Sequence, residues 1–143
     1  MARRDHIGAT LVLDAEGLAK LASGNLIARS LARDARERSG HVATAASTLA
    51  EVLRGGPRDA NVHRILRRIT VVPVDEMHGR IAGELLGRTG LSGHRCALDA
   101  LLAAVALNQP RPVVLLTSDQ RDLTKLTDEP QLPKAERIVV IQL

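Results

Sequence analysis

The sequence predicts an α/β fold in three layers, with helices on both faces of a mostly parallel central sheet of about five strands. Three observations carry that expectation. Short apolar runs rich in Val, Ile and Leu recur at residues 9–13, 69–74, 113–116 and 138–141. Helical stretches separate the strands, as parallel strands require, because a tight hairpin cannot join them. With 143 residues, 45% of them apolar, residues 1–143 are expected to form one domain around one core.

Residues 9–13 (ATLVL) read as a strand buried on both faces and ending at Asp14. Leu18, Leu21 and Ala22 mark a short helix. Ile27, Leu31 and Ala35 mark a longer one, whose other face carries Arg29, Arg33, Asp34, Arg36 and Glu37 and whose stop is Gly40. Residues 41–43 form a second strand, after which Thr44 or Ser47 caps a helix through Leu49, Val52 and Leu53. Gly55-Gly56-Pro57 ends that helix and starts another, which buries Val62, Ile65 and Leu66 and runs to about Arg68. Residues 69–74 (ITVVPV) form a third strand, placed at an edge or terminated by Pro73.

Asp75 caps the next helix, with Ile81, Ala82, Leu85 and Leu86 at helical spacing, and residues 87–93 form a loop. A helix rich in Ala and Leu follows over residues 95–108 and stops before Pro110. Residues 113–116 (VVLL) make the fourth strand, residues 119–126 a short helix, residues 130–133 a surface turn and residues 138–141 (IVVI) the last strand.

Composition narrows the function. There is no Phe, Tyr or Trp, so Leu, Val, Ile and Ala must build the core, and no aromatic platform exists on which bases could stack. The net charge of +4 permits an anionic partner, nucleic acid being the natural one. Only Lys20, Lys125 and Lys134 are lysine among the 20 basic residues, and the arginines supply planar forks suited to phosphates. The single Cys96 excludes an internal disulfide and fits a reducing compartment. No apolar run approaches the roughly 20 residues that span a bilayer. The start Met1-Ala2-Arg3-Arg4-Asp5 has no apolar signal core behind it, so the expected compartment is the cytoplasm.

Acidic residues stand where an α/β sheet places function. Asp14 follows the first buried strand and Asp119 follows VVLL, and ligands of open α/β sheets bind at the carboxyl ends of strands. Asp99 sits among Leu98, Leu101, Leu102 and Val105, and Glu51 between Leu49, Val52 and Leu53. A carboxylate on an apolar helix face is costly without a partner, and a hard cation such as Mg²⁺ or Mn²⁺ is one. Structural roles are equally open to each residue alone: Asp14 and Asp119 as helix caps, Asp99 paired with Arg95, Glu51 on a solvated face.

The segments LVLDAEGL, STLAEVLRG, LDALLAAVA and LLTSDQRDL, in this order and at these separations, resemble those of PIN-domain ribonucleases. The nearest likeness is to the VapC-type toxins of bacterial toxin–antitoxin pairs, and it covers nearly the whole chain. It implies a PIN-like three-layer fold in which Asp14, Glu51, Asp99 and Asp119 match the family's four acidic positions. Asp122 falls where many members carry a further acidic residue. Many members place Ser, Thr or Asn two residues after the first Asp; this chain has Glu16 there, which either adds a carboxylate or points away.

The resemblance further implies a metal-dependent endoribonuclease that leaves a 5′-phosphate and a 3′-hydroxyl, with an antitoxin partner and a homodimeric state. Four converging carboxylates cannot all stay ionised without cations, so Mg²⁺ or Mn²⁺ is the expected cofactor. Asp14, Asp99 and Asp119 are the expected ligands, and Glu51, Asp122 and Glu16 the further candidates. Thr117 and Ser118 are placed to hydrogen-bond these carboxylates or to shape the turn. The cluster Arg54, Arg58, Arg64, Arg67 and Arg68 offers RNA a basic surface, or an antitoxin tail the same one.

The histidines show no metal-binding spacing and are expected at the surface or in loops, and Cys96 borders the site or fills a small buried space. The glycines of GRTGLSG follow a helix and lack the strand that a phosphate-binding loop needs. Two other readings use the same residues: a phospho-receiver-like signalling domain, and a PIN-fold binding module without full activity.

Overall fold

The computed structural model describes residues 9–143, so the basic start of the chain and the reading of residues 1–5 lie outside the described residues. Five strands, β1 (Thr10–Leu13), β2 (His41–Ala45), β3 (Thr70–Val72), β4 (Val113–Thr117) and β5 (Val139–Gln142), form one sheet in the order β3-β2-β1-β4-β5. Every pairing is parallel. From β1 the chain steps outward through β2 to β3, then returns to lay β4 against the other side of β1 and ends at the opposite edge with β5. The winding reverses between β1 and β4. At such a switch point the loops leaving the two carboxyl ends diverge and open a crevice.

Among the described residues seven α-helices cover the sheet: α1 (Ala15–Ala22), α2 (Leu26–Glu37), α3 (Leu49–Val52), α4 (Ala60–Leu66), α5 (Glu76–Thr89), α6 (Gly93–Leu107) and α7 (Gln120–Leu126). Strand side chains alternate in direction. Val12 and Leu115 pack with α5, α6 and α7, whereas Leu11, Leu13 and Leu116 pack with α1, α2 and α4. The expected three-layer α/β/α arrangement is therefore observed. α6 buries Ala100, Ala103, Ala104 and Ala106 completely. Without aromatic residues, these small side chains seat the helix closely on both the sheet and α5.

Several boundaries differ from expectation for identifiable reasons. β2 continues to Ala45, because the Thr44 hydroxyl donates to the Leu13 carbonyl across the sheet at 2.8 Å and does not cap a helix. α3 is entered instead through a 3₁₀ turn, Ala46–Thr48, that has no side-chain cap, and the Ser47 hydroxyl is buried without a partner. α5 runs through Gly87 to Thr89 and stops at Gly90, whose φ of 72° is left-handed. Gly87 costs that helix about 1 kcal/mol of propensity, which its packing against α6 outweighs. α6 begins at Gly93, so the expected seven-residue loop shrinks to the link between the two helices.

Gly40 is required for closeness, not as a helix stop: a Cβ there would sit 1.8 Å from the Ala9 carbonyl oxygen. The left-handed residue after α2 is Ser39, φ 59°. His78 is buried rather than exposed, because it completes a capping box with Asp75 at the start of α5. β3 lies at the edge with Pro73 just beyond it, as expected, and Leu132 N–H closes the 130–133 turn on Glu129. Among the described residues no helix is long and apolar enough to cross a membrane.

Candidate metal centre

The β1–β4 register sets Leu13 opposite Leu116, which brings Asp14 beside Thr117 at the carboxyl edge of the switch point. Asp14 is 7% exposed, and both of its carboxylate oxygens accept hydrogen bonds. Its Oδ1 accepts the Gly17 N–H at 2.7 Å, capping α1, so the capping role and the site role coexist. Its Oδ2 accepts the Thr117 hydroxyl at 2.6 Å and the Ser118 N–H at 3.1 Å. Thr117 then accepts the Asp119 N–H at 2.8 Å, which ties the ends of β1 and β4 into one network. Ser118 contributes its backbone, not its hydroxyl, to this network.

Asp119 is the N-cap of α7, and its Oδ1 accepts the Asp122 N–H at 3.3 Å. Asp99 approaches from α6, a helix on the α5–α7 face. One oxygen each from Asp99, Asp119 and Asp122 can lie within 4.8 Å of one another. The same three line a cavity of about 340 Å³ with Leu91, Ser92, Arg95 and Cys96. Asp122 thus joins the cluster more closely than its place among the further candidates implied. Cys96 borders the site, its Sγ 3.9 Å from Asp122 Oδ2.

The electrostatics show how tightly the acids crowd. Burial pushes the Asp99 carboxyl up from 3.8 to about 7, aided by the charge of Asp119, a hydrogen bond with it, and the charges of Glu51 and Asp14. Glu51, in the first turn of α3, is exposed along its length, yet lost solvation at its carboxyl and then Asp14's charge raise its pKa. Asp14, Glu51, Asp99 and Asp119 therefore share one electrostatic neighbourhood. Glu16 is exposed on the first turn of α1 and stands outside the Asp99–Asp119–Asp122 cluster.

A donor set made only of carboxylates suits a hard divalent cation. Asp99, Asp119 and Asp122 crowd together with no ion-paired cation among the described residues, and burial with this crowding raises the Asp99 pKa, so the residues present fit such an ion. Asp14 can contribute too. A carboxylate has about four lone-pair positions, and the three hydrogen bonds leave one free on Oδ1.

The pH dependence of stability follows. A carboxyl whose folded pKa lies above its unfolded value binds protons more tightly when folded. The contribution of Asp99 to the stability of the metal-free protein should therefore be fully present below about pH 4, be lost as pH rises towards 7, and level off above it. The melting temperature in a chelator at successive pH values checks this. A rise in melting temperature between pH 5 and pH 8 would contradict it.

Two residues that support the site were not singled out from sequence. A Cβ on Gly17 would lie 2.9 Å from the Leu116 carbonyl and 3.4 Å from Asp14 Oδ1. Gly17→Ala should push α1 off β4, cost about 1–2 kcal/mol, and weaken metal binding by disturbing Asp14; calorimetric metal titration would show both effects. Asp59, buried, fixes the loop after α3 by accepting the Arg54 and Gly55 N–H groups at 3.0 and 2.6 Å. Asp14 was legible as a helix cap, but the close approach of Gly17 to Leu116 was not.

The expected basic cluster is split. Arg54 spends its guanidinium on the carbonyls of Ala50 and Leu53. Arg64 and Arg68 instead join Arg29, Arg33 and Arg36 of α2 along an open groove of about 610 Å³. Among the described residues Asp99 forms no ion pair with Arg95, the pairing that its sequence neighbourhood allowed.

Residues 11–128 match the PIN domain family. No match is found among curated proteins. The chain is similar in structure to VapBC2 from Rickettsia felis bound to a DNA fragment from their promoter, at 15% identity and a TM-score of 0.61, over 94% of this chain and 98% of that one. It is also similar to VapBC-5 of Mycobacterium tuberculosis (23% identity, TM-score 0.51, 94% and 98% covered). FitAcB from Neisseria gonorrhoeae is a third (17% identity, TM-score 0.53, 90% and 96% covered). At these identities the likeness is one of fold. The family match sets aside the phospho-receiver reading, and with fold, acidic crevice and match in agreement, this chain belongs to the PIN domain family.

Proposed function

We propose that the chain is a metal-dependent endoribonuclease, the toxin of a VapC-type toxin–antitoxin pair acting in the cytoplasm. The observation that carries the reading is the gathering of Asp99, Asp119 and Asp122 within 4.8 Å of one another, beside the buried Asp14. Asp99, Asp119 and Asp122 would hold Mg²⁺ or Mn²⁺, with Asp14 joining through its free Oδ1 lone pair. When bound, such an ion neutralises charge on a phosphodiester and lowers the pKa of water.

The protein's own groups supply the rest. Thr117 fixes Asp14 and, through the Asp119 N–H, sets the start of α7, so the acids are held before substrate arrives. Glu51, whose carboxyl has a raised pKa and feels the charge of Asp14, is suited to orient the attacking water and accept its proton. A nuclease without aromatic residues must hold RNA by its backbone, for which arginine forks serve.

The groove between α2 and α4 lies on the sheet face opposite α6 and suits the antitoxin better than the scissile strand. Its arginines form no ion pairs among the described residues. Leu21, Ala22, Ala32 and Ile65 contribute apolar surface to it. Leu26 and Ile27 at the start of α2 are 80% and 56% exposed, and exposed apolar residues beside a charged groove mark a protein partner. Toxin–antitoxin assemblies are among the structures the chain resembles.

The deciding experiment is cleavage of single-stranded RNA by the purified chain with Mg²⁺, with Mn²⁺ and with a chelator. Cleavage that needs the metal is the expected result. A folded chain that binds an antitoxin yet leaves RNA intact under all three conditions would overturn it in favour of a binding module.

A further inference from the structure

We propose that Arg95 binds a substrate phosphate beside the acidic cluster and so positions the RNA strand, an inference that rests on the nuclease reading above. Arg95 stands four residues before Asp99 on α6, so the two side chains project from the same face. It lines the same cavity as Asp99, Asp119 and Asp122, and it is the only cationic residue in that lining. Ser92 accepts the Arg95 N–H at 3.3 Å and fixes the turn from which the side chain leaves.

This charge is not spent on the acids. Among the described residues Arg95 makes no ion pair, although the i, i+4 relation to Asp99 offers one. A guanidinium that shares a cavity with three carboxylates and is ion-paired to none of them is available to something else that enters.

The entering group must be an anion. An RNA strand approaching this crevice brings a phosphate at every nucleotide, and a cation held by the acids can serve only those it touches. The neighbouring phosphates still face the remaining negative charge. An arginine fork at the rim offsets that repulsion through paired hydrogen bonds to phosphate oxygens. Base stacking on aromatic residues cannot replace it, since the chain has none.

The test uses the full chain and a short single-stranded RNA. Arg95→Ala should raise KM about ten-fold, the loss of one charge-assisted contact, while kcat stays within about two-fold. Arg95→Lys should recover part of the loss. The slope of log KM against log salt should fall by about 0.7, as expected for one phosphate contact on a single strand. Arg95→Gln, which keeps the aliphatic stem, repeats the measurement if the Ala variant folds poorly. Unchanged KM and salt slope, or a loss confined to kcat, would overturn the proposal. Fluorescence anisotropy of labelled RNA on the Asp99→Asn background, with and without Arg95→Ala, tests the contact without turnover. If the wild-type chain cleaves nothing, the nuclease reading fails by itself, and the anisotropy difference still decides for or against Arg95.

Discussion

Asp99→Asn should abolish metal-dependent RNA cleavage and, in the same molecule, stabilise the metal-free protein at pH 8. Each half has its own cause. Asp99 supplies one of the three clustered oxygens that would hold the cation. An amide keeps the shape of the side chain but removes its charge, so several kcal/mol of charge stabilisation at the phosphate is lost. That corresponds to a rate loss on the order of 10³-fold or more.

The stability gain comes from the crowding that makes the site attractive to cations. Wild-type Asp99 ionises only near 7, held back by burial and by Asp119, Glu51 and Asp14. Above that pH the charge exists and is unrelieved. Asparagine never acquires it, so the variant should be more stable by on the order of 2 kcal/mol at pH 8, after allowance for solvent screening. Near pH 5 wild-type Asp99 is already protonated, and the two proteins should melt together. Added Mg²⁺ should raise the melting temperature of wild type much more than that of the variant. A variant that melts below wild type at pH 8 in chelator, or one that keeps full activity, would refute the reading.

How far the site could be read from sequence depended on whether the signal was local. Asp14 and Asp119 were legible because an apolar run followed by an aspartate marks a strand's carboxyl end in any α/β fold. Asp99 was legible because a carboxylate among leucines and alanines contradicts its own helix. The sheet, its parallel pairing and its two helical layers followed from apolar runs separated by helical stretches. Glu51 gave a similar signal among Leu49, Val52 and Leu53, but its place beside Asp14 emerged only once β2 and β1 were paired.

The unread features depend on chain segments distant in sequence. A hydrogen bond from Thr117 to a site carboxylate was legible, but its partner was not, because the bond to Asp14 joins residues 103 positions apart. Thr44 looked like a cap because its hydroxyl's partner, the Leu13 carbonyl, lies on another strand. Gly87 resembled a loop residue because glycine is a poor helix former. In the fold it lies on the exposed face of a helix that packing sustains. The arginines of α2, of α4 and of the turn after α4 are likewise dispersed in sequence, and only the packing of both helices on α1 gathers them along one groove.

Asp14→Asn should behave in the opposite way to Asp99→Asn, losing stability along with activity. The Asp14 carboxylate receives three donors: two N–H groups and the Thr117 hydroxyl. An amide has one accepting oxygen. If that oxygen keeps the Gly17 N–H, the NH₂ group points at Thr117 and the Ser118 N–H. The hydroxyl can rotate to accept, but it then gives up its hold on the chain, and the Ser118 N–H meets another donor. Hydrogen bonds to a buried charge contribute about 1.5–3 kcal/mol each, so a net loss of about 2–4 kcal/mol is expected, a fall of roughly 5–15 °C in melting temperature. Thr117→Val separates the frame from the charge. It keeps Asp14 ionised but removes the hydroxyl that links it to the Asp119 N–H, and it should lower metal affinity about 10–100-fold, as loss of a residue supporting metal ligands does. If Asp14 served only as the cap of α1, Thr117→Val would leave metal affinity untouched, and Asp14→Asn would cost stability without costing cleavage. If it belongs to the metal centre, both variants must weaken metal binding, and only Asp99→Asn can weaken binding while raising stability.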